Sequence, residues 1–204
     1  MSFKNKKYLV IKNAISKELA TFNYNYLLMK QQVHKTLTET NYLPINDSTF
    51  GTYTDDQVRG TYSNYGDIAM DTLLLLVKPL MEEKTKIKLL ETYSYARIYK
   101  SGDELKRHKD RPSCAISCTM NLGGDSWPIF IEPSGKENKK GKKVILGPGD
   151  LLIYRGCDLE HWREPFTGDN CVQVFLHYND SKEQKNIFDN RPHLGLPSYY
   201  KKNV

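Results

Sequence analysis

A change of period near residue 88 constrains the fold of this chain more than any other feature. Before it, apolar residues recur at helical spacing, as in Leu19, Phe22, Tyr26 and Met29. After it, short apolar runs are broken repeatedly by turn residues. The breaks are Ser101-Gly102-Asp103, Gly123-Gly124-Asp125, Pro133-Ser134-Gly135 and Gly147-Pro148-Gly149-Asp150. Strands are expected at Leu89–Tyr99, Ala115–Leu122, Ile129–Glu132, Lys143–Leu146, Leu151–Tyr154 and Val172–Tyr178. Helices followed by many short strands predict an α+β chain with a sandwich or barrel-like β core.

Upstream, Tyr8–Ile11 reads as a short strand and Ser16 as the N-cap of a helix over about 17–37, with Glu18 in its first turn. A second helix is expected over about 67–83, disturbed at Pro79. Residues 38–64, rich in Thr, Asn, Asp and Gly, read as a long irregular stretch suited to a mobile lid. At 204 residues the chain suits one domain. It divides into 1–87 as helical support and mobile loop, 88–180 as the core, and 181–204 as a tail.

Several function classes fall away. The longest apolar run, Leu73–Val77, is five residues, against roughly 20 for a membrane-spanning helix. The basic N-terminus leads into no secretory apolar segment, so a cytoplasmic location is expected. Cys114, Cys118, Cys157 and Cys171 form no disulfide framework. Cys114 and Cys118, read as two residues on one strand face, suggest buried reduced thiols before zinc ligands. The net charge of +6 comes with 23 Lys and 7 Arg, which argues against the Arg-rich face of a nucleic-acid binder. The dense basic run from Lys136 to Lys143 reads as a solvated hairpin loop.

His108-Lys109-Asp110 is the most informative motif. On extended backbone, residues two apart point to the same side. His161 follows some fifty residues later. Two His and one carboxylate make up the facial triad of non-haem Fe(II) oxygenases, which leaves metal positions open. His-x-Asp alone is common in surface loops, so its setting has to carry weight. Tyr99-Lys100-Ser101-Gly102-Asp103 forms a strand and turn ahead of His108. Gly147-Pro148-Gly149-Asp150 launches the apolar Leu151–Tyr154 ahead of His161. Pro165 and Gly168 follow His161 at +4 and +7.

In this order and spacing, residues 88–180 resemble the Fe(II)/2-oxoglutarate dioxygenase domain of the prolyl 4-hydroxylase-like family. The resemblance implies a double-stranded β-helix (jelly-roll) core braced by N-terminal helices. It implies His108, Asp110 and His161 as iron ligands and Tyr99 as a wall of the 2-oxoglutarate pocket. Asn121 falls near a second position that contacts the cosubstrate. The implied reaction couples decarboxylation of 2-oxoglutarate by O₂ to hydroxylation of an unactivated C–H bond, with ascorbate as a candidate reductant. The Asp110 carboxylate argues against a halogenase.

One departure stands out. The family places Lys or Arg nine or ten residues after the second His, to pair with the distal carboxylate of 2-oxoglutarate. Here those positions are Asn170 and Cys171. A buried dianion needs a cation. Strand alternation offers Arg163, two residues after His161, then Arg97, two residues before Tyr99, with Gln173 adding a neutral hydrogen bond. Arg111 is expected to orient Asp110 or meet the substrate. His34 and His177 are expected to be structural. A proline-containing peptide or protein is the expected substrate, with Tyr53, Tyr62, Tyr65, Trp127 and Trp162 as flat faces near the metal. The alternatives are a free amino acid or other small molecule, a nucleic-acid dealkylase if the Lys136–Lys143 loop borders the metal, and a non-catalytic jelly-roll binding module.

Overall fold

The computed structural model describes residues 3–44, 47–137, 139–183, 189, 191–197 and 200. In chain order the elements are α1 (Phe3–Lys6), β1 (Tyr8–Ile11), α2 (Lys17–Glu39), β2 (Tyr62–Tyr65), α3 (Ile68–Thr85), β3 (Leu89–Lys100), β4 (Leu105–His108), a 3₁₀ turn (Pro112–Cys114), β5 (Ile116–Gly124), β6 (Ile129–Ile131), β7 (Lys142–Val144), β8 (Leu151–Tyr154), β9 (His161–Arg163) and β10 (Asn170–Asp180). Two antiparallel sheets result. The larger has strand order β1-β8-β5-β10-β3-β2 and the smaller β4-β9-β6-β7.

Both long helices start at side-chain caps. Ser16 Oγ accepts from Leu19 N at 3.2 Å, and Asp67 accepts from the amides of Ala69 and Met70. α3 runs through Pro79 instead of breaking there. The carbonyl that loses its donor belongs to Leu75, on an exposed turn where water can replace the missing N–H. The irregular stretch is shorter than expected, because α2 reaches Glu39 and Tyr62–Tyr65 adds β2 to the edge of β3.

The central strands explain where a site can form. β5, β10 and β3 are buried on both faces, and their alternation sorts the side chains into two kinds. Toward the helices point Ile116, Cys118, Met120 and Leu122 of β5, Val172, Val174 and Leu176 of β10, and Ala96 and Ile98 of β3. These pack with Leu27, Met70, Leu74 and Met81 in the main apolar core. Toward the smaller sheet point Ser117, Thr119 and Asn121, then Cys171, Gln173 and His177, then Arg97 and Tyr99. All are at most 6% exposed. A sandwich interior lined this way is polar where packing alone would make it apolar, so it has the chemistry of a site.

Cys114 and Cys118 do not share a strand face. Cys114 closes the 3₁₀ turn, while Cys118 sits in β5 among the helix-facing apolar residues. All four cysteines are free. Among the described residues no helix is long and apolar enough to cross a membrane.

Candidate active site

His108 ends β4 and His161 begins β9, and the two are register partners across the ladder. Their ring centroids lie 4.3 Å apart. Asp110 follows β4 in irregular backbone and is moored by its amide, which donates to the Gly156 carbonyl at 2.9 Å. Its Oδ1 lies 3.4 Å from His161 Nε2 and 3.7 Å from His108 Nε2. One ligand atom from each of the three residues falls within a 4.8 Å cluster.

Both imidazoles are oriented by their other nitrogen. His108 Nδ1 meets the Lys106 carbonyl at 2.7 Å, and His161 Nδ1 meets that of Leu159 at 3.1 Å. A carbonyl only accepts, so each Nδ1 carries a proton and each Nε2 is the nitrogen that faces the shared point. Burial, followed by the neighbouring His161, lowers the His108 pKa and keeps that ring neutral. Burial also works to raise the Asp110 pKa. The opposing pull of His161, by charge and hydrogen bond, and then of His177 and His108, prevails and holds it at about 2. Gln57 Nε2 stands 3.1 Å from His108 Nε2, a donor placed where a cation would bind. Two imidazoles with Nε2 turned to one point and one carboxylate suit a divalent metal such as Fe(II).

The cluster opens into a cavity of about 500 Å³. Tyr65, Tyr93, Tyr95 and Phe175 supply its aromatic walls. Tyr65 and Tyr93 stack at 4.7 Å and 17°. Arg111 Nη2 donates to Tyr93 Oη at 2.8 Å, so it braces this wall and not Asp110. Asp55 reaches in from the loop before β2 to pair with Arg97 at 2.6 Å and to accept from Tyr95 Oη.

A further set of polar residues is buried between the two sheets, outside the lining of that cavity. Arg163 is 1% exposed. Its Nη1 donates to the Trp127 carbonyl, and its guanidinium lies 4.9 Å from the Trp127 ring. Nε and Nη2 have no partner, nor has Asn121 Oδ1. Burial drives the Arg163 pKa down, and among the described residues no carboxylate stands beside it to restore it. Gln173 Nε2 donates to Cys171 Sγ at 3.2 Å, and Gln173 Oε1 accepts from Thr119 at 3.2 Å. Tyr99, fully buried, packs edge-on against Trp127 with centroids 4.7 Å apart. A buried guanidinium with two idle nitrogens calls for an anion.

No family model and no curated protein matches the sequence. Solved structures do match the fold. A Pseudomonas putida prolyl-4-hydroxylase superposes with a TM-score of 0.66 at 11% identity, over 87% of this chain and 95% of that one. The fold is that of the Fe(II)/2-oxoglutarate oxygenases. A Trichoplax adhaerens prolyl hydroxylase, solved with a hypoxia inducible factor oxygen degradation domain peptide fragment, gives a TM-score of 0.61 at 18% identity, over 89% and 87% of the two chains. HygX from Streptomyces hygroscopicus, solved with nickel and 2-oxoglutarate bound, gives 0.58 at 13%, over 88% and 85%. The two sheets described above are thus the double-stranded β-helix of these oxygenases.

Within this oxygenase fold, the sequence-based site residues fall into two groups. His108, Asp110 and His161 meet at one point in the cavity that Arg97 also lines, and Arg163, Asn121, Gln173 and Tyr99 are buried between the sheets outside that lining. Arg97 also faces inward but is engaged by Asp55 and by Tyr99 Oη, the latter at 3.3 Å. The expected aromatic faces are mostly misplaced. Tyr53 and Tyr62 pack around His34, Trp162 stacks on Phe130 at 5.4 Å, and Trp127 is buried against Tyr99; only Tyr65 of that set lines the cavity. None of the described residues of the Lys136–Lys143 loop lines it, but Glu137 pairs with Lys109 at 3.8 Å and the Lys139 carbonyl accepts from Arg107 at 2.7 Å, on the residues that flank His108. His177, expected to be structural, does line the cavity. Tyr93 and Tyr95 were findable, since they continue the alternation that ends in Arg97 and Tyr99. Asp55 and Gln57 arrive by a loop whose path carries no local signal.

Proposed function

We propose that the protein is an Fe(II)- and 2-oxoglutarate-dependent dioxygenase that hydroxylates a prolyl residue in a peptide or protein. The observation that carries the reading is the convergence of His108 Nε2, Asp110 Oδ1 and His161 Nε2 beside a cavity. When bound there, Fe(II) would supply O₂ activation coupled to oxidative decarboxylation of 2-oxoglutarate. The chain's own residues do the rest. The carbonyls of Lys106 and Leu159 fix both imidazole tautomers. Arg163 offers Nε and Nη2 to the distal carboxylate, with Asn121, Gln173 and Tyr99 as neutral neighbours. In this role Arg163 stands in for the cation that the family carries at the positions of Asn170 and Cys171.

The prolyl assignment rests on the cavity walls. Tyr65, Tyr93, Tyr95 and Phe175 give the cavity an aromatic lining that suits an apolar pyrrolidine, and an extended proline-rich segment loses little entropy on docking. Two of the similar folds are named as prolyl hydroxylases. The test is succinate formation by the Fe(II)-loaded protein with and without a library of proline-containing peptides. Peptide-dependent succinate, with products heavier by one oxygen, is the expected outcome. Stimulation by free amino acids but by no peptide would remove the prolyl reading and keep the dioxygenase.

A further inference from the structure

We propose that Ser117 and His177 form a positioning pair that turns one oxygen of Asp110 to the metal and withholds the other. This rests on the metal-centre reading above. Asp110 is the one ligand outside a strand, so no ladder sets its orientation. Its two oxygens nevertheless have different surroundings. Oδ1 faces the two Nε2 atoms. Oδ2 accepts from Ser117 Oγ at 2.9 Å.

The support comes from the middle of the larger sheet. Ser117 of β5 and His177 of β10 are directly opposed in the antiparallel register. They are 0% and 6% exposed, and Ser117 Oγ lies 2.9 Å from His177 Nδ1. The Cys114 carbonyl is also 2.9 Å from that hydroxyl. A serine hydroxyl has one proton to give. The anionic carboxylate is the stronger acceptor, since charge-assisted bonds are shorter and stronger. With that proton committed to Asp110, His177 must present Nδ1–H to Ser117 Oγ. The order is therefore His177 Nδ1–H to Ser117 Oγ–H to Asp110 Oδ2. Gly156 closes the other side, because a Cβ there would meet Asp110 Oδ2 and stand 2.6 Å from the Cys114 carbonyl. Held this way, the carboxylate binds through one oxygen and leaves the opposite metal positions open.

The experiment is a titration of the metal-free full chain with Mn²⁺, counting free ion by electron paramagnetic resonance, with the visible spectrum of the Co²⁺ form alongside. Ser117→Ala should weaken Mn²⁺ binding by about 10- to 100-fold, the usual scale for a lost partner of a metal ligand. Its Co²⁺ bands should shift as Asp110 swings to offer both oxygens. His177→Phe should weaken binding in the same direction. His177→Asn, which places an amide N–H where Nδ1–H stands, should restore most of it. Wild-type affinity in Ser117→Ala, or equal affinities in His177→Phe and His177→Asn, overturns the pair even if melting temperatures fall, because a purely structural role moves stability alone. Should Ser117→Ala not fold, the two His177 variants decide. Failure of the wild-type chain to bind Mn²⁺ or Fe²⁺ would instead sink the metal-centre reading on which the pair rests.

Discussion

Replacing Arg163 by methionine should act in opposite directions on 2-oxoglutarate binding and on the stability of the 2-oxoglutarate-free protein. Arg163 is 1% exposed, and among the described residues its Nε and Nη2 have no partner and no carboxylate pairs with it. Without 2-oxoglutarate it is a buried cation held by the Trp127 carbonyl and ring. A well-packed apolar replacement of a buried ion is often neutral or stabilising. The melting temperature of 2-oxoglutarate-free Arg163→Met should therefore hold or rise. With 2-oxoglutarate bound, the same change leaves a carboxylate buried without its cation. Breaking such a pair costs about 3–5 kcal/mol. At 1.4 kcal/mol per power of ten, this is roughly a 10²- to 10³-fold rise in Kd or more. The assay is calorimetric titration of Mn²⁺-loaded protein with 2-oxoglutarate, beside thermal melts without it. Mn²⁺ affinity itself should stay near wild type. An unchanged 2-oxoglutarate Kd in Arg163→Met, or the full loss in Arg97→Ala instead, would falsify the assignment and move the cation to β3.

Three further outcomes follow from the geometry. His161→Ala should abolish stoichiometric Mn²⁺ binding and 2-oxoglutarate turnover while far-ultraviolet circular dichroism stays near wild type; a fully active variant refutes the triad. The lowered His108 pKa means that the unfolded chain takes up a proton near about pH 6.5 while the folded ring resists it. Stability from this group is therefore present above that pH and is lost on acidification. Metal affinity should fall in the same direction, staying flat between about pH 7 and about pH 8; a loss centred above pH 7 contradicts the neutral, buried ring. Gly156→Ala should destabilise the fold by about 1–3 kcal/mol through overcrowding and weaken Mn²⁺ binding, because its methyl group would press on Asp110 and the Cys114 carbonyl; wild-type metal affinity in that variant argues against the close packing at Oδ2.

The parts of the fold readable from sequence were those with a period. Ser16 and Glu18 marked the start of α2, and the runs at Leu89, Leu151 and Val172 marked β3, β8 and β10. β4 and β9 were not among the expected strands because Leu-Lys-Arg-His and His-Trp-Arg form no apolar run, although they carry both histidines. His108, Asp110 and His161 do converge, but for a partly different reason than the His-x-Asp spacing suggests. Asp110 lies outside β4, and its direction comes from Gly156, Ser117 and the turn at Pro112–Cys114, none of which spacing reveals. Alternation from His161 and Tyr99 turned Arg163 and Arg97 inward. Only tertiary structure shows that Asp55 engages one and leaves the other free. The groove aromatics failed for the same reason: Tyr53 belongs to a loop and Trp162 to a three-residue strand, and neither has a local pattern that tells which way it faces.

The two-sided burial of β5 and β10 also ties the chemistry to the register of the sheet. A slip of one residue in either strand exchanges its faces. Ser117, Thr119 and Asn121 would then press against α2 and α3, while Cys118, Met120 and Leu122 would face the smaller sheet. Such a slip leaves several buried hydroxyls and amides without partners, which raises its free energy far above that of the native pairing. The polar stripe therefore acts as an alignment key during folding, and substitutions that make it apolar should loosen strand pairing before they weaken the core.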